Sequence, residues 1–337
     1  MSLSTVTDES AFATLTERYR RQLHVHCYRM LGSVDDADDV VQETFLRAWR
    51  SRAGFEGRAM FRTWLYRIAT NVCLNALERG PRRVIPQDVA PPVTATSDTS
   101  EARSEPPWAP EIPWLEPYPD HLLETTAPRD TEPEAVVVSR ETIELVYLAA
   151  IQHLPPRQRA ILILRDALDW SAKETAALLE TSLQSVNSAL QRARSTMRAQ
   201  LPTGRHDWRP TATATDAERS LLQGFMGAWE RADAAALIAL LREDARWAMP
   251  PAPLWFDGRG AIARLFQLFP MDFHGDVRMV PTTANRQPAA VAYLRPHGES
   301  AYRLTTLNVL RIEQGEIAEI TTFSAALLHA FDLPPML

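Results

Sequence analysis

Residues 154–198 read LPPRQRAILILRDALDWSAKETAALLETSLQSVNSALQRARSTMR, and the spacing within them decides the fold. Pro155-Pro156 suits the first turn of a helix, where a missing N–H has no intrahelical partner to lose. The apolar residues that follow predict a helix running to about Leu168. Ser171, with Glu174 three residues on, makes a capping box and predicts a short helix to Leu179. Thr181 with Gln184 repeats the signal after only Glu180-Thr181-Ser182, and the helix it opens is long, with Val186, Leu190, Ala193 and Met197 facing inward. Two helices joined by so short a turn predict a helix-turn-helix. The second helix of that motif reads base edges in the major groove. Its outward face here carries Gln184, Ser185, Asn187, Ser188 and Gln191. Amide side chains bond adenine at two points, whereas serine is less selective. Arg192, Arg194 and Arg198, further along, suit phosphates. A solvated helix of an ordinary bundle presents similar residues, so this pattern alone leaves both readings open.

Working towards the N-terminus, Phe12, Leu15, Tyr19, Leu23, His26 and Met30 recur at helical steps. Gly32 supplies a stop, and Asp35 and Asp36 favour a new helix start through the macrodipole. Val40, Val41, Thr44, Phe45 and Ala48 stripe that second helix. A third, Phe61 to Leu77, follows a glycine-containing loop and ends at Gly80-Pro81. The first 80 residues are therefore expected to be all-α. His24, His26 and Cys27 lie here without a second cluster to complete four ligands, so no metal is expected, and no cofactor-binding loop or catalytic triad appears.

HCYRMLGSVDDADDVVQETFLRAW (26–49) and FRTWLYRIATNVCLNALER (61–79) closely resemble domain 2 of the extracytoplasmic-function sigma factors of bacterial RNA polymerase. Residues 154–198 likewise resemble domain 4 of that family, in the right order and at roughly the right spacing. The resemblance implies a non-catalytic subunit that binds core polymerase and directs promoter recognition. It implies that the helix matching Asp35–Trp49 docks on the clamp helices of the largest subunit, at Asp39, Gln42, Glu43 and Arg47. Domain 4 would meet the flap of the second-largest subunit and read the −35 element with the helix described above. The segment matching Ala53–Asn75 would read the −10 element and capture a flipped base, with Arg58, Arg62, Trp64, Arg67, Asn71 and Asn75 as participants. Trp64 also fits the apolar stripe, and packing is its expected main role. The recognition helix departs from the family in bearing Asn187, Ala189 and Gln191 where many members have Lys or Arg, so weak binding without polymerase is expected. A helix-turn-helix regulator working without polymerase is the alternative.

The chain carries a net charge of −6, and its distribution explains how a promoter reader can be acidic: residues 81–135 alone hold −7 and 12 of the 25 prolines. They predict an irregular connector, from which Trp108, Trp114, Leu115, Tyr118, Leu122 and Leu123 stand out as a patch expected to dock on a neighbouring domain. Lys173 is the only lysine. Two cysteines are too few for a disulfide framework and no apolar run is long enough to span a bilayer, so a cytoplasmic location without membrane contact is expected.

From Asp216 the rhythm changes to helices followed by strands, an α+β layer fold with an expected antiparallel sheet. FMGAWERA (225–232), WFDGRGAIARLF (255–266) and LTTLNVLRIEQGEIAEITTF (304–323) resemble the SnoaL-like group of the cone-shaped nuclear transport factor two fold. Such a fold often encloses a cavity; Trp247, Met249, Trp255, Phe256 and Tyr302, with Phe266 and Met271, are candidate linings, and equally candidate core. The expected organisation is domain 2 (8–80), connector (81–135), domain 4 (136–202), a short linker (203–215) and a SnoaL-like domain (216–337). The last is expected to regulate through contact with the sigma domains; a ligand sensor or an enzyme using Asp244, Asp257, Asp272 or His274 is the alternative.

Overall fold

The computed structural model describes residues 9–55, 60–94, 109, 111–123, 143–201, 215–271 and 275–337. It divides into two compact units, one of Met1–Arg83 with His121–Pro210 and one of Val84–Asp120 with Thr211–Leu337.

The first unit is helical. α1 (Glu9–Leu31), α2 (Val34–Ser51) and α3 (Phe61–Arg79) pack together. Gly32 takes φ +75°, and its N–H closes onto the Tyr28 carbonyl at 2.7 Å, which ends α1. Ser33 then caps α2 by accepting the Asp36 N–H. Leu23, Met30, Val41, Leu65 and Tyr66 are buried, and Phe12 meets Trp49 and Phe61 at 5.2 and 6.1 Å between ring centres. α4 (Leu145–Gln152) is apolar on nearly every side and is buried accordingly. α5 (Pro156–Leu162) opens at the paired prolines and widens into a π turn over Ile163–Ala167, so it is shorter than its apolar run suggests.

α6 (Ala172–Leu178) begins at the Ser171–Glu174 capping box, in which both reciprocal bonds form. α7 (Leu183–Gln200) is capped differently from the expectation: Ser182, not Thr181, accepts the Ser185 N–H at 3.1 Å. A serine one residue nearer the helix can reach that donor, and the extended backbone of Ser182 suits an N-cap. Glu180 takes φ +50° in the intervening turn. Val186, Leu190, Ala193 and Met197 are buried, as their spacing requires.

The second unit is α+β. α8 (Asp216–Glu230) starts at a Thr215–Glu218 capping box and α9 (Ala234–Ala239) at Asp233. β1 (Leu241–Ala248), β2 (Trp255–Asp257), α10 (Arg259–Leu268), β3 (Gly275–Ala284), β4 (Gln287–Pro296), β5 (Arg303–Glu313) and β6 (Glu316–Ser324) complete it. The sheet order is β2-β1-β6-β5-β4-β3. The β1–β6 pair is parallel, which corrects the expectation of a wholly antiparallel sheet. The long excursion through α10 and four strands returns β6 beside β1 in the same direction, and no local signal encodes that. Asn285-Arg286 and Gln314-Gly315 all have positive φ, the geometry of tight hairpins. Leu222, Phe225, Trp247, Phe256, Ile262, Phe266, Leu310 and Ile320 form the core.

Val84–Asp120, the middle of the proline-rich connector, belongs to this unit. Val93 donates to the Trp255 carbonyl at 2.9 Å and accepts from the Asp257 N–H at 3.0 Å, adding a rung beside edge strand β2. Pairing of this kind covers a sheet edge. At the other end, Tyr118 and Asn285 exchange bonds of 2.8 Å, and Asp120 accepts the Arg286 N–H. Trp114, Leu115 and Tyr118 are buried. Leu123 is buried in the first unit, Leu122 is half-buried, and Trp108 lies outside the described residues.

Candidate nucleic-acid and polymerase interface

The buried stripe of α7 sets its opposite face towards solvent, and Gln184, Ser185, Asn187, Ser188, Gln191, Arg192 and Arg198 are all exposed there. The face is polar, with little fixed charge. Ser185 already accepts the Ser182 hydroxyl at 2.9 Å. Arg194 is held by Asp166, which accepts two bonds of 2.7 and 3.0 Å from its guanidinium. That carboxylate raises the Arg194 pKa and ties the recognition helix to the turn preceding α6.

On α3, Arg67, Asn71 and Asn75 are exposed at four-residue steps and so share a face. Trp64 is half-buried against Phe55 and Phe61, at 5.1 and 5.5 Å, consistent with packing. Arg62 lies over the rings of Tyr66 and Trp170, 5.5 and 5.7 Å from their centres. Arg67 pairs with Glu180. Trp170, Glu180 and Asp166 escaped the sequence reading, because nothing in their local spacing marks a contact made across the fold. Arg58 lies outside the described residues.

On α2, Asp39, Gln42 and Arg47 are exposed and Glu43 is half-buried, with Arg47 bonded to Glu43 at 2.6 Å. Leu46, half exposed, lies on the same side as Asp39, Gln42 and Glu43, which gives an acidic face with an apolar centre. His24, His26 and Cys27 are buried, and among the described residues no group of acidic, His or Cys side chains is placed to hold a metal.

In the α+β unit, Trp247 and Phe256 are register partners on one face of the sheet and belong to its core. The Trp247 indole donates to Thr322 at 2.8 Å, and Thr322 donates to Asn308 at 2.8 Å. Met249 packs against the same core. Trp255 alternates to the other face, where Ala90 accepts its indole N–H at 2.9 Å. Tyr302 lies apart, between Arg278 and Arg295. A groove of about 420 Å³ is lined by Arg219, Leu222, Pro281, Thr282, Thr283 and Pro288, and by none of these five. Of the four acid/base candidates, Asp244 and Asp257 pair with Arg242 and Arg246, while Asp272 and His274 lie outside the described residues.

Comparison with known proteins places these features in one family. Residues 15–83 match the Sigma-70 region 2 model, 144–197 the Sigma-70 region 4 model and 222–320 the SnoaL-like domain model. The chain is 41% identical over 328 residues to the ECF RNA polymerase sigma factor SigG of Mycobacterium tuberculosis, covering 97% of this chain and 85% of that one. It is 28% identical to SigW of Bacillus subtilis over 195 residues, 58% of this chain and 90% of SigW. The crystal structure of M. tuberculosis SigJ shares the fold with a TM-score of 0.60 at 19% identity, over 96% of this chain and all of that one. No helix among the described residues is long and apolar enough to cross a membrane. The two helical domains, their order and the full-length relative make this chain an alternative sigma factor of the extracytoplasmic-function family, with a SnoaL-like domain at its C-terminal end.

Proposed function

We propose that this sigma factor reads the −35 element with Gln184, Ser185, Asn187, Ser188 and Gln191, and that Arg192 and Arg198 contact phosphate. Arg194 acts through Asp166, by fixing the angle of α7. The −10 element is read along α3 by Arg62, Arg67, Asn71 and Asn75, together with Arg58, and with Trp64 supporting that surface. Asp39, Gln42, Glu43 and Arg47, around the exposed Leu46, dock on the clamp helices of the largest polymerase subunit, and domain 4 on the flap of the second-largest. The exposed polar stripe of α7, opposite a fully buried apolar one, carries this reading. Run-off transcription with core polymerase tests it: the Gln184→Ala, Gln191→Ala double variant should lose most −35-dependent initiation while still binding core.

The SnoaL-like domain serves as a regulatory part and not as an enzyme. The carrying observation is that it holds the connector between the sigma domains at Val93 and at Tyr118–Asp120. Possession of that connector lets the domain set how far the two readers can separate. Arg242 accounts for the Asp244 carboxylate and holds its pKa below the usual range, which suits an ion pair and not a general acid. Action on promoter DNA with core polymerase supports a cytoplasmic place of work for the chain. Truncation after Pro202 should change the yield of run-off transcript; an unchanged yield would remove the regulatory role.

A further inference from the structure

Leu183, the first residue of α7, is 50% exposed, although every other large apolar residue of that helix is buried. Its spacing, three residues before Val186, continues the buried stripe and on periodicity alone would place it in the core. A helical side chain leans towards the N-terminal end and covers the turn before its own. Leu183 has no such turn, so nothing of α7 lies beneath its side chain. The tip it occupies is firmly held. Ser182 accepts the Ser185 N–H at 3.1 Å and donates its hydroxyl to the Ser185 oxygen at 2.9 Å, while the Thr181 N–H bonds the Ala176 carbonyl at 3.0 Å.

The N-terminal residues of a recognition helix are the ones that reach base edges in the major groove. The apolar group displayed there is the 5-methyl of thymine, and an apolar side chain recognises it by contact. We infer that Leu183 reads a thymine methyl group in the −35 element, and so sets which pyrimidine stands at that position. The inference rests on the assignment of α7 as the −35 reader. Asn187 lies one turn further along on the same side of the helix, and like Gln184 it is exposed and suited to adenine. Guanine is most often read by arginine, and the first arginine of α7 is Arg192, in its third turn. The tip therefore reads bases through amides, hydroxyls and this one aliphatic group. Cytosine in place of the thymine loses the contact, because it carries no methyl.

Replacing thymine by deoxyuridine removes the methyl group and nothing else, which makes a direct test. Holoenzyme assembled from the full chain and core polymerase is bound to a promoter fragment that yields run-off transcript, with each thymine of the −35 element replaced singly. At one position the affinity should fall about fourfold, the worth of one methyl group taken out of water. With Leu183→Ala, the thymine and deoxyuridine fragments should bind alike at that position. No position sensitive to deoxyuridine, or the same sensitivity in Leu183→Ala, would overturn the inference. So would loss of core binding by Leu183→Ala, which would make this side chain a polymerase contact. The Gln184→Ala, Gln191→Ala double variant, run in parallel, separates the premises. Undiminished initiation by it would remove the −35 assignment of α7 itself, whereas lost initiation without any deoxyuridine effect would overturn only the role of Leu183.

Discussion

Arg159 of α5 donates to the main-chain carbonyl of Met30 at the end of α1, a buried bond that joins the two helical domains. The same guanidinium bonds the Gln152 side chain at 2.6 Å and the Gln152 carbonyl at 2.8 Å. Burial is the main cause of its lowered pKa, about 10, and leaves it charged at neutral pH. A charge kept out of water needs its acceptors, and the acceptors need it. Arg159→Ala should therefore cost about 3 kcal/mol, the cost of orphaning several buried carbonyl groups. Urea unfolding monitored by circular dichroism measures this; a loss below about 1 kcal/mol would mean that water replaces the guanidinium.

The pH dependence of stability should centre on His26. Its ring nitrogen Nε2 lies 2.9 Å from the Thr70 hydroxyl, and burial, reinforced by Arg29, lowers its pKa to about 3. An unfolded histidine takes its proton near pH ~6.5. Since the folded value lies below the unfolded one, the unfolded chain binds more protons between the two, and stability is lost as pH falls through that window. At pH 5 the loss should be about 2 kcal/mol from this group. His26→Gln should show a smaller drop between pH 7.5 and 5 in the same urea experiment. An identical drop in both proteins would place the acid sensitivity elsewhere.

The arginines of α7 should separate by their salt dependence. Arg192 is exposed, whereas Arg194 is bound by Asp166. For holoenzyme binding to promoter DNA, Arg192→Ala should flatten the slope of log affinity against log salt by about 1. Arg194→Ala should weaken binding at every salt concentration with the slope unchanged, and Asp166→Ala should resemble it. A reduced slope for Arg194→Ala would make that residue a phosphate contact instead.

Much of this molecule is legible from local spacing. The stripe Val186, Leu190, Ala193, Met197 and the Ser171–Glu174 box specify a helix-turn-helix because both signals act within one turn of helix. What escapes is encoded across distance. The parallel β1–β6 pair, the three-residue strand β2 that completes the edge, and the Asp166 hold on Arg194 all depend on where remote segments meet. The connector is an intermediate case. Its apolar residues announce a docking patch, but only the fold shows Val93 and Tyr118 bonding to the α+β domain.

That attachment should be visible to proteases. Chymotrypsin favours aromatic sites, and Trp114 and Tyr118 are 2% and 0% exposed. The native chain should resist cutting there. Asn285→Ala removes the side chain that accepts the Tyr118 N–H and should speed cleavage at Tyr118 about fivefold, read by mass spectrometry of limited digests. Rapid cleavage of the unaltered protein at Trp114 or Tyr118 would show the connector to be free.

Run-off transcription tests most directly whether the two helical readers make this chain an initiation factor. Core polymerase that is inactive on a promoter fragment should produce a discrete transcript when the full chain is added. That transcript should be lost with the Gln184→Ala, Gln191→Ala double variant. Core polymerase that binds the chain and still yields no transcript from any promoter library would contradict the account.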